Sequence, residues 1–239
     1  MTPDVLSALR AARAGNRPAV RITRLSDGAE CLVVAGAPVA GTLPLTEALL
    51  DGSRDVLRSD RGRTEETPNG KVFLEPFNPP LRLIIVGAVH ITQALVPMAK
   101  ALGYGVTVID PRGAFATQDR FPDVALLPDW PDEALDALAP DARTAVVTLT
   151  HDPKLDDPAL DRALTSPAFY IAALGSRKTH AARRDRLAAL GHGDAALARI
   201  HGPAGLALGA ASPAEIALSV LAQMTQVLRQ TAPTGSPAT

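Results

Sequence analysis

The chain carries one cysteine, Cys31, among 239 residues. A single thiol excludes an internal disulfide framework and any cysteine-rich metal site. No excess of one charge is present either: 24 basic residues face 25 acidic ones, for a net charge of −1 and an isoelectric point near 6.5. That balance gives no electrostatic reason to expect nucleic acid or an anionic membrane as partner. No apolar run approaches the roughly 18 residues of a membrane span. Residues 1–10 contain no basic segment followed by an apolar stretch, so no signal peptide is expected. The expectation is a soluble cytoplasmic protein.

Hydrophobic residues make up 46% of the sequence, as in an ordinary globular protein, and the length suffices to bury a core without staples. The pattern divides in two. Residues 1–80 read as a small α+β unit. A helix starts at Thr2-Pro3 and stops at Gly15-Asn16; strand-like segments at 19–25 and 30–34 are joined across Ser26-Asp27-Gly28; a short helix is expected at 45–50 and a strand at 71–77. Residues 51–70, charged and poor in apolar side chains, read as an exposed connection. Pro76, Pro79 and Pro80 stiffen the linker at which the boundary is placed.

From residue 81 the rhythm changes to strand, helix, strand. Strands are expected at 81–86, 105–109, 124–127, 144–149 and 169–174. Helices are expected at 91–102, kinked by Pro97, and at 131–138, 158–164, 179–190 and 213–229. Ser212-Pro213-Ala214-Glu215 is a capping box with proline at the first helical position. Continuous apolar strands alternating with helices predict a Rossmann-like parallel sheet over residues 81–230, behind the smaller N-terminal domain. Residues 231–239 are rich in Pro, Ser, Thr and Gly and are expected to be disordered.

In such a fold, ligands bind beyond the carboxyl ends of the strands, and the polar residues collect there. The first turn is Val86-Gly87-Ala88-Val89-His90. Gly87 stands where a dinucleotide fingerprint begins, but Val89 and Thr92 occupy the places of its second and third glycines. His90 opens a helix, facing the ligand side. Asp110 follows Gly87 at roughly the 20-residue spacing at which an acidic residue takes a ribose hydroxyl pair, and Arg112 is placed to meet a phosphate. Thr150-His151-Asp152 ends the fourth strand; His151 and Asp152 suit acid–base work or a ligand contact, or Asp152 simply caps the loop before Pro153. Gly175, Ser176, Arg177 and Lys178, at a strand-to-helix junction, describe an anion cradle, unless they begin a solvated basic face continued by Arg183, Arg184 and Arg186. Gly202, Gly205 and Gly209 mark a loop that closely approaches a ligand or neighbouring backbone.

In this order the pieces resemble the XdhC/CoxI family, accessory proteins of xanthine dehydrogenase and related molybdenum hydroxylases. The resemblance rests on Leu83-Ile84-Ile85-Val86-Gly87-Ala88-Val89-His90, Val108-Ile109-Asp110-Pro111-Arg112, Thr150-His151-Asp152, Ala173-Leu174-Gly175-Ser176-Arg177, and Gly205-Leu206 through Pro213-Ala214-Glu215-Ile216-Ala217. It implies binding of molybdenum cofactor, as molybdopterin or its cytidine dinucleotide form. It also implies protection of that cofactor while a cysteine desulfurase supplies sulfur, and delivery to a molybdenum hydroxylase apo-enzyme; homodimerisation stays open. Val39-Ala40-Gly41-Thr42-Leu43 is similar to a family segment that runs on to a cysteine, but here Pro44-Leu45 interrupts it and Cys31 sits instead on the hairpin, as a half-buried strand residue. Two other functions compete. An NAD(P)-dependent oxidoreductase would use His90 or His151 as acid–base group, against which Val89 counts. A nucleotide-sensing module would do no chemistry.

Overall fold

The computed structural model describes residues 1–230; the expected disordered tail lies outside the described residues. The described residues divide into two compact units, Met1–Pro79 together with Arg229 and Gln230, and Pro80–Leu228.

The first unit begins with helix α1 (Pro3–Ala14), which buries Val5, Leu9 and Ala12 along one stripe. Strands β1 (Ala19–Arg24), β2 (Glu30–Val34), β3 (Ala37–Gly41), β4 (Arg63–Thr67) and β5 (Gly70–Phe77) form an antiparallel sheet in the order β3-β2-β1-β5-β4. The stretch 51–70 is not an exposed connection. Helix α2 (Glu47–Ser59) runs through its first half, and β4 pairs with β5 through the second. The buried face of α2 is Leu49, Gly52, Ser53 and Val56, at helical spacing but with two small residues in the middle. Gly52 serves close packing: a Cβ there would lie 3.0 Å from Leu74 Cδ2 and 2.5 Å from Glu65 Oε1. Cys31 is fully rather than half buried, at 3% exposure, and burial pushes its thiol pKa up.

The second unit carries a six-stranded parallel sheet. In chain order its elements are β6 (Arg82–Val86), α3 (His90–Ala101), β7 (Gly105–Ile109), β8 (Ala125–Leu127), α4 (Pro131–Leu138), β9 (Thr144–Thr148), α5 (Pro153–Thr165), β10 (Tyr170–Ala173), α6 (Arg177–Ala189), α7 (Asp194–Leu197), β11 (Ile200–His201) and α8 (Pro213–Gln230). The strand order is β8-β7-β6-β9-β10-β11, with β6 pairing in parallel with both β7 and β9. This is the doubly wound mononucleotide-binding arrangement, whose direction reverses between β6 and β9. Leu83, Ile85, Ala145 and Val147 pack on one face with Leu95 and Ala99 of α3 and Val220 and Met224 of α8. Ile84, Val86, Val146 and Ile171 pack on the other with Leu135 of α4, Leu155, Ala159 and Leu160 of α5, and Leu187 of α6. Burial on both faces is why these strands read as unbroken apolar runs. Helix α5 begins at Pro153, five residues before the expected start, and both α5 and α3 continue through an internal proline, Pro158 and Pro97. No helix among the described residues is long and apolar enough to cross a membrane.

Candidate functional site

Where the sheet reverses direction, the loops leaving β6 and β9 meet. Gly87 has φ +113°, and a Cβ there would stand 2.7 Å from Thr150 Cγ2, so both backbone conformation and space demand glycine. The turn is closed by Thr92, fully buried, whose hydroxyl donates to the Gly87 carbonyl at 2.5 Å. A threonine hydroxyl thus does here what a third glycine does in a dinucleotide turn, namely seat the helix. Val89 is the N-cap of α3 without a capping side chain, and His90 begins the helix exposed to solvent.

Asp110 leaves β7 fully buried. Its Oδ1 accepts from the Arg112 amide (3.0 Å) and Nε (2.8 Å); its Oδ2 accepts from the Ala88 amide (2.8 Å) and Arg112 Nη2 (2.8 Å). A carboxylate offers about four acceptor positions, and protein donors fill them all. Burial pushes its pKa up, but the bonds from Arg112 and the two amides outweigh that and hold it below the ordinary 3.8. The expected ribose contact is therefore replaced by an internal one: Asp110 pins the first turn and aims Arg112. The Arg112 guanidinium lies 4.8 Å from the Phe115 ring centroid. Its charge is stabilised first by Asp110 and, through space, by Asp152 and Asp156 at the start of α5.

Of the pair at the end of β9, Asp152 is a helix cap. Its Oδ1 accepts from the Lys154 amide at 2.9 Å, with Pro153 at the first helical position. His151 is exposed and held at φ +63°, a left-handed conformation that is uncommon for a residue with a side chain. Beyond β10, Gly175 has φ +141°, and a Cβ there would come within 3.2 Å of Thr179. Ser176 caps α6, accepting from the Thr179 amide at 3.1 Å. Arg177 and Lys178 occupy the exposed first turn, and neither forms an ion pair among the described residues. Of the arginines that follow, Arg186 pairs with Asp157 (Nη2 to Oδ1, 3.0 Å) and Arg184 with Asp194 (3.6 Å). Arg183 is not on a solvated face at all: it is 2% exposed. Gly205 answers to packing, since a Cβ would lie 2.2 Å from Ser219 Oγ on α8, and the close approach is to a neighbouring helix.

The structure therefore gathers Gly87, His90, Asp110, Arg112, His151, Asp152 and Gly175 through Lys178 along one sheet edge, with Gly205 serving the packing of α8. Sequence reasoning passed over Asp156 and set Arg183 on a solvated face, whereas the two pair at 3.6 Å beneath that edge. The signals were present. Reading Asp152-Pro153 as a helix start puts Asp156 in the first turn, and Arg183 stands four residues before Leu187, which faces the core. Among the described residues, no group of three or more His, Cys, Asp or Glu side chains is arranged to hold a metal ion.

A family model described as the XdhC Rossmann domain matches residues 83–224. The chain belongs to the XdhC family. Among curated proteins it is 32% identical over 165 residues to the molybdenum cofactor insertion chaperone PaoD of Escherichia coli, covering 69% of this chain and 45% of that one. It is 31% identical over 169 residues to a probable xanthine dehydrogenase subunit of Bacillus subtilis (70% and 48%), and to the uncharacterized protein YqeB of Escherichia coli (69% and 30%). The chain spans less than half the length of these relatives. A crystal structure titled as a xanthine dehydrogenase from Bacillus halodurans shares the fold, with a TM-score of 0.73 at 23% identity, over 97% of this chain and 66% of that one. Membership of the XdhC family sets the fold beside the geometry just described, in which the glycine fingerprint is incomplete and the acidic residue after the second strand is consumed internally.

Proposed function

We propose that this chain is an accessory protein that binds molybdenum cofactor as cargo at the carboxyl edge of its parallel sheet. It supports the cofactor's sulfuration and inserts it into a xanthine-dehydrogenase-type hydroxylase; a cysteine desulfurase and the apo-enzyme are its partners. The observation that carries this reading is the junction after β10 in an XdhC-family chain. Gly175 gives close backbone approach, Ser176 caps a 13-residue helix, and the exposed Arg177 and Lys178 form no ion pair among the described residues. That donor set fits the phosphate of a pterin cofactor, through amides, helix dipole and two cations together. Arg112 adds a further cation toward the crevice between β6 and β9, where a dinucleotide form would extend.

The strand order also suits a nicotinamide dinucleotide, and an NAD(P)-dependent oxidoreductase is the second reading. Two features weigh against it: Val89 stands where glycine lets backbone approach a pyrophosphate, and Asp110 has no acceptor position left for a ribose.

The deciding experiment purifies the protein from molybdenum-replete cells, identifies what it retains by mass spectrometry, and titrates it with NADH by calorimetry. Retained pterin cofactor with weak or absent NADH binding is expected; tight NADH binding without pterin would replace this reading by the second. Arg177→Ala is expected to lose more cofactor than Arg186→Ala, because Arg186 is already committed to Asp157. Equal losses would dissolve the cradle into a diffuse basic face.

A further inference from the structure

Beneath the site, on the sheet face covered by α5 and α6, several buried polar atoms have no hydrogen-bond partner. They are Thr148 Oγ1 on β9, Asp156 Oδ2 on α5, and Arg183 Nε and Nη1 on α6. The three residues are 0%, 1% and 2% exposed. Thr148 has the same strand parity as Val146, which packs into the core on the α5 and α6 side. Asp156 Oδ2 and Arg183 Nη2 stand 3.6 Å apart, close enough to attract and too far for a good hydrogen bond. Burial governs both: it pushes the Asp156 pKa up, against Thr150 and Arg183, and pulls that of Arg183 down. Buried donors and acceptors left unpartnered on neighbouring elements are the setting in which ordered water completes a buried pair.

The remaining atoms of the same two side chains reach the two loops of the site. Asp156 Oδ1 accepts from the Thr150 hydroxyl at 2.7 Å and lies 3.4 Å from the Thr150 amide. Thr150 is the residue that touches Gly87 and precedes His151. On the other side, Arg183 Nη2 donates to the Leu174 carbonyl at 3.0 Å and stands 3.8 Å from where a Gly175 Cβ would be.

We propose that Asp156 and Arg183, joined through ordered water shared with Thr148, form a clasp that couples the Thr150–His151 turn to the Gly175 loop. They act as positioning residues: a change at either loop is transmitted to the other. The clasp itself rests on the geometry alone; its consequence for cargo rests on the function proposed above.

The test is hydrogen–deuterium exchange on the full chain, comparing wild type with Asp156→Asn and Arg183→Met. Each variant is expected to raise exchange several-fold in both loops, residues 149–152 and 174–178, while α3 and α8 stay protected. Loosening of only the variant's own loop, or a uniform rise across the unit, would overturn the coupling. Should Arg183→Met fail to fold, a crystal structure of the wild type decides. Water bridging Thr148, Asp156 and Arg183 supports the clasp, and a dry, directly bonded pair overturns it. Retention of pterin cofactor is read on the same samples. A loss of about tenfold in Asp156→Asn, the low end for groups that position metal-site ligands, is expected; unchanged retention would overturn the positioning role. A wild type that retains no cofactor would overturn the cargo reading instead and leave the clasp to the exchange data.

Discussion

Two aspartate–arginine pairs lie along the same sheet edge and are built differently. Asp110 and Arg112, two residues apart on one loop, share a two-pronged contact, and the carboxylate also takes two backbone amides. Asp156 and Arg183 come from different helices and leave three polar atoms without a hydrogen-bond partner. In the first pair, hydrogen bonds overcome desolvation and the carboxyl pKa falls; in the second, desolvation prevails and it rises. Burial of a carboxylate thus does not decide its ionisation by itself. The number and geometry of donors do. The well-bonded pair fixes a turn, and the loosely bonded one sits where two loops of the proposed site are held together.

The largest expected effect falls on the second pair. Arg183→Met leaves the Asp156 carboxylate buried without its cation, and denaturant unfolding should show a loss of about 3–5 kcal/mol. Asp110→Ala should cost less, about 1–3 kcal/mol, because the half-exposed Arg112 guanidinium can turn to water and what loses an acceptor is the backbone amides of Ala88 and Arg112, with no buried charge left behind. If the two costs came out in the reverse order, the contrast between the pairs would fail.

His151→Gly probes the loop that the clasp holds. Relief of the left-handed backbone should raise stability by about 1 kcal/mol. Cofactor retention should fall in the same variant if the imidazole meets the cargo. A stability loss would mean that the side chain, not the backbone, matters to the fold.

The smallest effect is a difference of slope. The depressed Asp110 pKa contributes stability above 3.8 that is lost as pH falls through its folded value; the raised Asp156 pKa contributes stability below 3.8 that is lost as pH rises through its own. Unfolding series of wild type against Asp110→Asn and against Asp156→Asn should therefore diverge in opposite directions across the acid range. Parallel curves would mean that the two carboxyls share one environment.

The parallel sheet was legible because its strands are buried on both faces, so that Leu83 through Val86 and Thr144 through Leu149 carry almost no polar interruption. Of helix α2 only the first turn fell within the helix expected at 45–50, since Gly52 and Ser53 stand at positions where a periodicity argument looks for large apolar side chains. The edge β11, two residues long, offers no pattern to detect. Among site residues, the loops themselves could be read from glycine and charge. What escaped was division of labour. Whether an aspartate meets a ligand, caps a helix or pins a turn depends on which donors the fold brings to it, and Asp110, Asp152 and Asp156 took three different roles.

The hydroxyl of Thr92 on the Gly87 carbonyl has a consequence for how such a turn can change over evolutionary time. A path from here to a dinucleotide fingerprint requires glycine at both 89 and 92. Introducing glycine at 92 first removes the bond that closes the turn and places glycine within a helix, at about 1 kcal/mol for the helix alone. Introducing it at 89 first opens backbone next to a turn that still grips its own carbonyl. Neither single step yields a complete pyrophosphate seat, so descendants of this turn are separated from a full glycine fingerprint by an intermediate that has gained nothing.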